Sequence, residues 1–266
     1  MSERNYSQHR GELIQLCKSV GNFIREQIDL VNPKDIVHKE MNSLVSYVDQ
    51  EAEKMLVTEL QRIIPETSFI TEEQTIDQTE GSLIWIIDPL DGTTNFLQKI
   101  PLFSISVALM ENGVITLGIV YEIMQDLAYT AIKGQGAWIN NQPIQVAQKT
   151  ELKEAIVATG FPYDRDESFD LNMKILQYVI LQSRGIRRLG SAALDLAYVA
   201  SGKLDIYYEK SLNIWDIAAG SLLVEEAGGI ITDMQGESLF LQSGELIVGN
   251  KHLHPLLLAG IKKQEL

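Results

Sequence analysis

Two aspartates, a glycine and two hydroxyl residues follow directly on an apolar run in Trp85-Ile86-Ile87-Asp88-Pro89-Leu90-Asp91-Gly92-Thr93-Thr94-Asn95-Phe96. Residues 84–87 read as a buried strand, so Asp88 enters an environment where a lone carboxylate costs several kcal/mol or takes up a proton. Two such groups at a strand end point to a bound cation. Pro89 and Gly92 predict a tight turn, and Gly92 lets the backbone approach a ligand. A helix starting near Thr94 would aim the Gly92 and Thr93 amides at an anion. Carboxylates for a hard metal beside amides for a phosphate make the layout of a metal-assisted phosphoester hydrolase. The plainer alternative is an Asp-rich turn in which Thr93 or Thr94 caps a helix.

Four other acidic residues join this set. Glu72 and Glu73 follow the short strand Ser68-Phe69-Ile70-Thr71, after a helix ended by Pro65, and at least one is a candidate ligand from a second strand. Read as a solvated loop pair, they would carry no chemistry. Asp49 follows an apolar-rich run and precedes a helix with Ala52, Met55, Leu56 and Leu60 on its inner face; as a sequence feature it reads as that helix's N-cap. Asp216, in Trp215-Asp216-Ile217-Ala218-Ala219-Gly220, precedes a helical pattern closed by Gly228-Gly229 and reads equally as an N-cap.

The two long segments, Trp85 to Phe96 and Trp215 to Gly229, resemble the two signatures of the inositol monophosphatase family, a branch of the magnesium-dependent, lithium-sensitive phosphatases. Thr159-Gly160-Phe161-Pro162-Tyr163 and Arg188-Leu189-Gly190-Ser191-Ala192-Ala193 look like its bacterial members, and the likeness runs from about Lys39 into the C-terminal third. The resemblance implies roles residue by residue. Glu72, Asp88 and the Leu90 carbonyl would hold a first magnesium; Asp88, Asp91 and Asp216 a second; Glu72 would share a third. The Gly92 and Thr93 amides would cradle phosphate. Asp49 would orient the Thr93 hydroxyl, and Thr93 with Glu72 the attacking water. Asp91, the Ala192 amide and Glu209 would meet hydroxyls of the leaving alcohol, and Lys39 would shape the metal-binding end. Ser43 and Ser46 replace a common aspartate and threonine, and Ile206 a frequent glycine on the substrate wall; none of these removes a metal ligand.

Within this reading the substrate is myo-inositol monophosphate. Fructose 1,6-bisphosphate, histidinol phosphate and 3′-phosphoadenosine 5′-phosphate are the alternatives that keep the chemistry. A regulatory protein that keeps the fold without catalysis is the alternative from another class. Attack is expected directly from water, because neither a Walker loop nor a phosphorylatable Asp-x-Asp is present. His9, His38, His252 and His254 lie outside these segments and form no zinc pattern. Cys17 falls on the stripe Leu13, Leu16, Cys17, Val20 and Ile24 and reads as a core residue.

The elements that must position these groups are helices near 4–30, 48–64, 168–182, 191–201, 216–227 and 253–263. Strands are expected near 84–87, 104–110, 113–121, 126–132, 156–159, 186–189, 204–208, 229–232 and 246–249, with a turn at Asn140-Asn141. Periodicity alone predicts mixed α/β layers. The resemblance implies a five-layer αβαβα sandwich: one catalytic domain whose subdomains, about 1–150 and 151–266, share a site, and usually a homodimer. The 266 residues carry 45% apolar side chains and a formal charge of −14. That charge argues against a nucleic-acid or anionic-membrane surface. No apolar run nears the ~20 residues of a membrane span, and Met1–Asn5 does not read as a signal peptide. A single cysteine allows no internal disulfide, which makes the cytoplasm the expected compartment.

Overall fold

The computed structural model describes residues 6–31, 37–40, 43–45, 47–78, 81–161 and 169–264. The elements in chain order are α1 (Tyr6–Gln27), β1 (Val37–Glu40), β2 (Ser43–Val45), α2 (Tyr47–Ile63), β3 (Ser68–Thr71), β4 (Leu83–Asp91), α3 (Thr93–Leu97), β5 (Ser104–Glu111), β6 (Val114–Glu122), β7 (Leu127–Ile132), β8 (Gly136–Ile139) and β9 (Gln142–Pro143). They continue with β10 (Ile156–Thr159), α4 (Phe169–Gln182), β11 (Gly185–Arg187), α5 (Ala192–Ala200), β12 (Ile206–Glu209), α6 (Ile214–Glu226), β13 (Ile230–Thr232), α7 (Phe240–Ser243), β14 (Leu246–Gly249) and α8 (Leu253–Lys262).

β3 to β9 make a seven-stranded sheet in simple sequence order, parallel only between β3 and β4. The later strands make a five-stranded sheet in the order β11-β10-β12-β14-β13. β1 and β2 form a separate two-stranded ribbon.

Side-chain alternation stacks these sheets into layers. In β4, Leu83, Trp85 and Ile87 join the apolar residues of α1 and α2, among them Leu13, Cys17, Ala52 and Leu56. Ile84 and Ile86 face the other way and pack with α5 and α6. The same two helices meet Tyr207 and Val248 of the second sheet, whose opposite face, with Ile206, Tyr208 and Ile247, is covered by α4 and α8. The order is therefore α1/α2, large sheet, α5/α6, small sheet, α4/α8, a five-layer αβαβα sandwich. Because α5 and α6 are covered on both sides, their sequences are apolar nearly all round. They also approach each other closely: a Cβ on Gly220 would lie 2.5 Å from Leu196.

Element boundaries depart from the sequence reading where end effects decide them. The first helix ends at Gln27 rather than near 30, the strand after 82 continues through Pro89 to Asp91, and β8 and β9 form around the expected turn at Asn140. Asp49 is inside the first turn of α2, so it is not that helix's cap. The cap of α6 is Asn213, and Asp216 occupies the third helical position. From there its carboxylate reaches back to accept from the Asn213 amide at 2.7 Å. Pro162 and Tyr163, the end of the Thr159–Tyr163 segment, and Ser46 lie outside the described residues, as does the side chain of Lys39, which stands on β1.

Candidate active site

Asp88 and Asp91 lie three residues apart, and a regular strand would send them to opposite faces. The ladder between β4 and β5 slips by one residue in this interval: Asp88 pairs with Ser106, but Asp91 pairs with Ser104. This is a bulge, and Pro89 sits in it, one of the few places where a sheet accepts proline. The slip changes the phase of the strand. Leu90 turns to the α1/α2 side with Trp85 and Ile87. Asp88 and Asp91 both turn to the α5/α6 side, where their contacts and charge partners lie.

Each aspartate has a cross-strand serine that ties it to the start of a central helix. Ser106 Oγ donates to the Trp215 carbonyl at 3.0 Å, beside Asp216. Ser104 Oγ lies 3.3 Å from Ser191 Oγ, and Ser191, the N-cap of α5, donates to Asp91 Oδ2 at 2.5 Å. The Ala193 amide adds a second donor to the same oxygen at 2.8 Å. Negative charge at the start of a helix is well placed.

Glu72 follows β3, which pairs in parallel with β4 so that Thr71 stands opposite Ile87. The next step of that register brings Glu72 opposite Asp88, and the Glu72 amide donates to the Ile87 carbonyl at 3.2 Å. Asp49 comes from α2 on the other side. The Thr93 hydroxyl lies 3.0 Å from Asp49 Oδ1 and 3.0 Å from the Leu90 carbonyl, and its one proton serves one of them at a time. Gly92, with φ of 96°, makes the left-handed turn into α3, and a Cβ there would meet the Leu102 and Gly190 carbonyls at 3.1 and 3.3 Å. The Thr93 and Thr94 amides open α3 and have no acceptor within that helix. The buried Asn95 side chain fastens this turn to the Leu102 and Leu189 carbonyls at 2.7 and 2.8 Å.

The charges in this pocket are poorly compensated. Burial, then the proximity of Glu72, Asp91 and Asp216, pushes the Asp88 carboxyl well above the usual carboxylate range. Asp216 rises likewise, mainly through burial and then Asp91. Burial lifts Asp91 to about 6, opposed by its bonds from Ser191 and Ala193 and by Arg188. Glu209, at the end of β12, is pushed by burial up to about 7 although the Tyr207 hydroxyl donates to it at 2.6 Å. Among the described residues no three Asp, Glu, His or Cys side chains already close around one point as an ion cage. The donor set nevertheless fits a hard divalent cation: every candidate is an oxygen, and the carboxylates repel one another enough to favour uptake of positive charge.

Sequence reasoning brought Asp49, Glu72, Asp88, Leu90, Asp91, Thr93 and Asp216 to this region and missed several supporting residues. Ser104 and Ser106 were legible as two hydroxyls spaced by two in the otherwise apolar Ser-Ile-Ser-Val-Ala-Leu. Asp195, almost fully buried, is raised by burial and by the nearby Glu209 and Asp91, and carried no motif.

The inositol monophosphatase family model matches residues 6–266. The chain belongs to the inositol monophosphatase family. It is 37% identical over 252 residues to an inositol-1-monophosphatase of Mesorhizobium japonicum, covering 94% of this chain and 95% of the relative. Identity to the Nus factor SuhB of Escherichia coli K12 is 34% over 252 residues, covering 94% of each. The crystal structure of the extragenic suppressor protein suhB from Bartonella henselae superposes with a TM-score of 0.90 at 36% identity, over 94% of this chain and 97% of that one. The five layers of this chain are thus the inositol monophosphatase fold. Among the described residues no helix is long and apolar enough to cross a membrane.

Proposed function

We propose that this member of the inositol monophosphatase family is a magnesium-dependent phosphate monoesterase whose substrate is myo-inositol monophosphate. The observation that carries the reading is the convergence of Asp88, Asp91, Asp216 and Glu72, from three separate segments, into one mutually repelling group beside the Gly92 turn. Family membership gives that group a chemical purpose, and the Mesorhizobium relative bears the name of the activity.

In this reading Glu72, Asp88 and the Leu90 carbonyl hold one ion, Asp88, Asp91 and Asp216 another, and Glu72 shares a third. Bound magnesium supplies Lewis acidity that makes water a better nucleophile and offsets charge on the phosphoryl and leaving oxygens. The chain's own residues do the positioning. With its proton directed to Asp49, Thr93 Oγ1 leaves the Leu90 carbonyl free for the cation and keeps lone pairs to accept from the attacking water. Glu72 accepts from the same water. The Gly92 and Thr93 amides meet the phosphoryl oxygens. Asp91, the Ala192 amide and Glu209 meet the hydroxyls of the alcohol, and Lys39 would help shape the metal-binding end. The protein acts on a small molecule as a homodimer in the cytoplasm, with no nucleic acid or membrane surface involved.

Purified protein tests this directly. Phosphate release from inositol 1-phosphate in magnesium, abolished by chelator and by Asp91→Asn in a folded variant, is the expected result. Preference for fructose 1,6-bisphosphate, histidinol phosphate or 3′-phosphoadenosine 5′-phosphate would move the assignment to another alcohol with the same chemistry.

Similarity to a protein named a Nus factor supports a second reading, in which the fold serves regulation. No phosphate release from any of these esters, by folded and magnesium-loaded protein, would favour it.

A further inference from the structure

Glu53 has no solvent exposure, yet it is a carboxylate one helical turn beyond Asp49 on α2. Residues i and i+4 lie on the same helix face, so both acids point from α2 toward the two loops that flank the site. Asp49 takes the Thr93 hydroxyl. Glu53 takes the turn after β3: Oε1 accepts from the Thr71 hydroxyl at 3.0 Å, the Thr75 amide at 2.7 Å and the Thr75 hydroxyl at 2.7 Å. Its Oε2 accepts from the Glu73 amide at 2.8 Å. These donors surround Glu72 in the chain on both sides. Gln78 closes the same turn, accepting from the Thr71 amide at 3.1 Å.

A turn that must hold an anionic side chain against Asp88 needs an anchor on its far side. A carboxylate receiving four bonds, two of them from backbone amides, gives a rigid one.

We propose that Glu53 is a positioning residue for Glu72: it sets the divalent-cation affinity of the site without touching the ion. The inference rests on the magnesium-dependent reading given above. An amide at this position would turn an NH2 group toward donors, so Glu53→Gln should release the turn with almost no change in volume. Groups that orient metal ligands typically alter metal affinity by about 10–100-fold when removed.

The test is calorimetric titration of Mg²⁺ into metal-free wild type, Glu53→Gln, Glu72→Gln and the double variant, with amide hydrogen exchange over 71–78 in the absence of metal. Expected are a Kd for Mg²⁺ raised about 10–100-fold in Glu53→Gln, faster exchange confined to the 71–78 turn, and no further loss when Glu53→Gln is added to Glu72→Gln. The last result is the one a general structural role would not produce. Thr75→Val, which removes only one of the four donors, gives a smaller rise of the same sign and serves if Glu53→Gln fails to fold. Wild-type affinity in folded Glu53→Gln, or full additivity in the double variant, overturns the inference while the phosphatase reading stands. Wild type that neither binds Mg²⁺ nor releases phosphate sinks both.

Discussion

Glu72 and Asp88 face each other across the parallel pair β3–β4 of the large sheet, one register step beyond Thr71 and Ile87. After burial, the nearby Glu72 carboxylate is the largest cause raising Asp88. Parallel pairing matters here, because it sends both chains out of the sheet at the same edge. Two acids from different strands then meet where the backbone leaves the core.

This repulsion predicts a stability response to metal. Magnesium at a hundred times its Kd should stabilise the fold by ~2.7 kcal/mol, or roughly 5–11 °C for a domain of this size. Asp88→Asn should melt at or above the wild type in chelator, since it removes one of the repelling charges, and should lose the magnesium response. Thermal melts of both proteins, with and without the ion, check this; a magnesium-insensitive wild type would count against the proposed ligand set.

The same acids set a pH dependence for the metal-free protein. Asp91 and Glu209 have pKa values raised in the fold to about 6 and about 7. Between the unfolded carboxylate range near ~4 and those values, the folded state binds more protons than the unfolded one, so stability falls as pH rises. Their favourable contribution is complete below about 4 and lost above about 7. Denaturant midpoints in chelator should therefore decline from pH 4.5 to 7.5, and magnesium should flatten the decline.

Thr93 and Asp49 act as a pair in the proposed chemistry. Removing either should reduce kcat by about 10²-fold, the typical loss when a reacting group is misplaced, with little change in KM. Thr93→Ser should retain most of the rate and Thr93→Val should not. Steady-state kinetics on the four variants Asp49→Asn, Thr93→Ser, Thr93→Val and Asp49→Asn/Thr93→Val test the pairing: the double variant should be no worse than the poorer single one.

Ser191 caps α5 and donates to Asp91. Ser191→Ala should cost ~1 kcal/mol through the lost cap. It also removes a donor that holds the Asp91 carboxyl down. Protons should then compete better with the cation, so the variant's loss of magnesium affinity should be greater at pH 6 than at pH 8.

Much of the pocket was readable in the chain because its chemistry is written in short, unusual strings. Acids directly after Ile84–Ile87, and a tryptophan-aspartate pair at a helix start, conflict with ordinary burial and so declare themselves. Helix caps were harder. Asp49 and Asp216 each precede an apolar periodicity and mimic an N-cap, but the helices start earlier, and the cap of α6 is Asn213. The bulge at Pro89 was read as a turn because proline and glycine mark both, and only the pairing partners Ser104 and Ser106 distinguish them. Glu53 was invisible for another reason. In a helix of mixed charge, Glu-Ala-Glu-Lys reads as an exposed face, and its burial depends on a turn 20 residues away.

Gly220 gives the central helices an unexpected reach. One turn after Asp216 on α6, it admits Leu196 of α5, one turn after Ala192. Both helices begin at the pocket, so the spacing at these two interior residues sets how closely their first turns approach each other. In the proposed phosphatase, a single methyl group at 220 would press on Leu196 and push the two helix starts apart, and a changed ratio of rates between alcohols would report it.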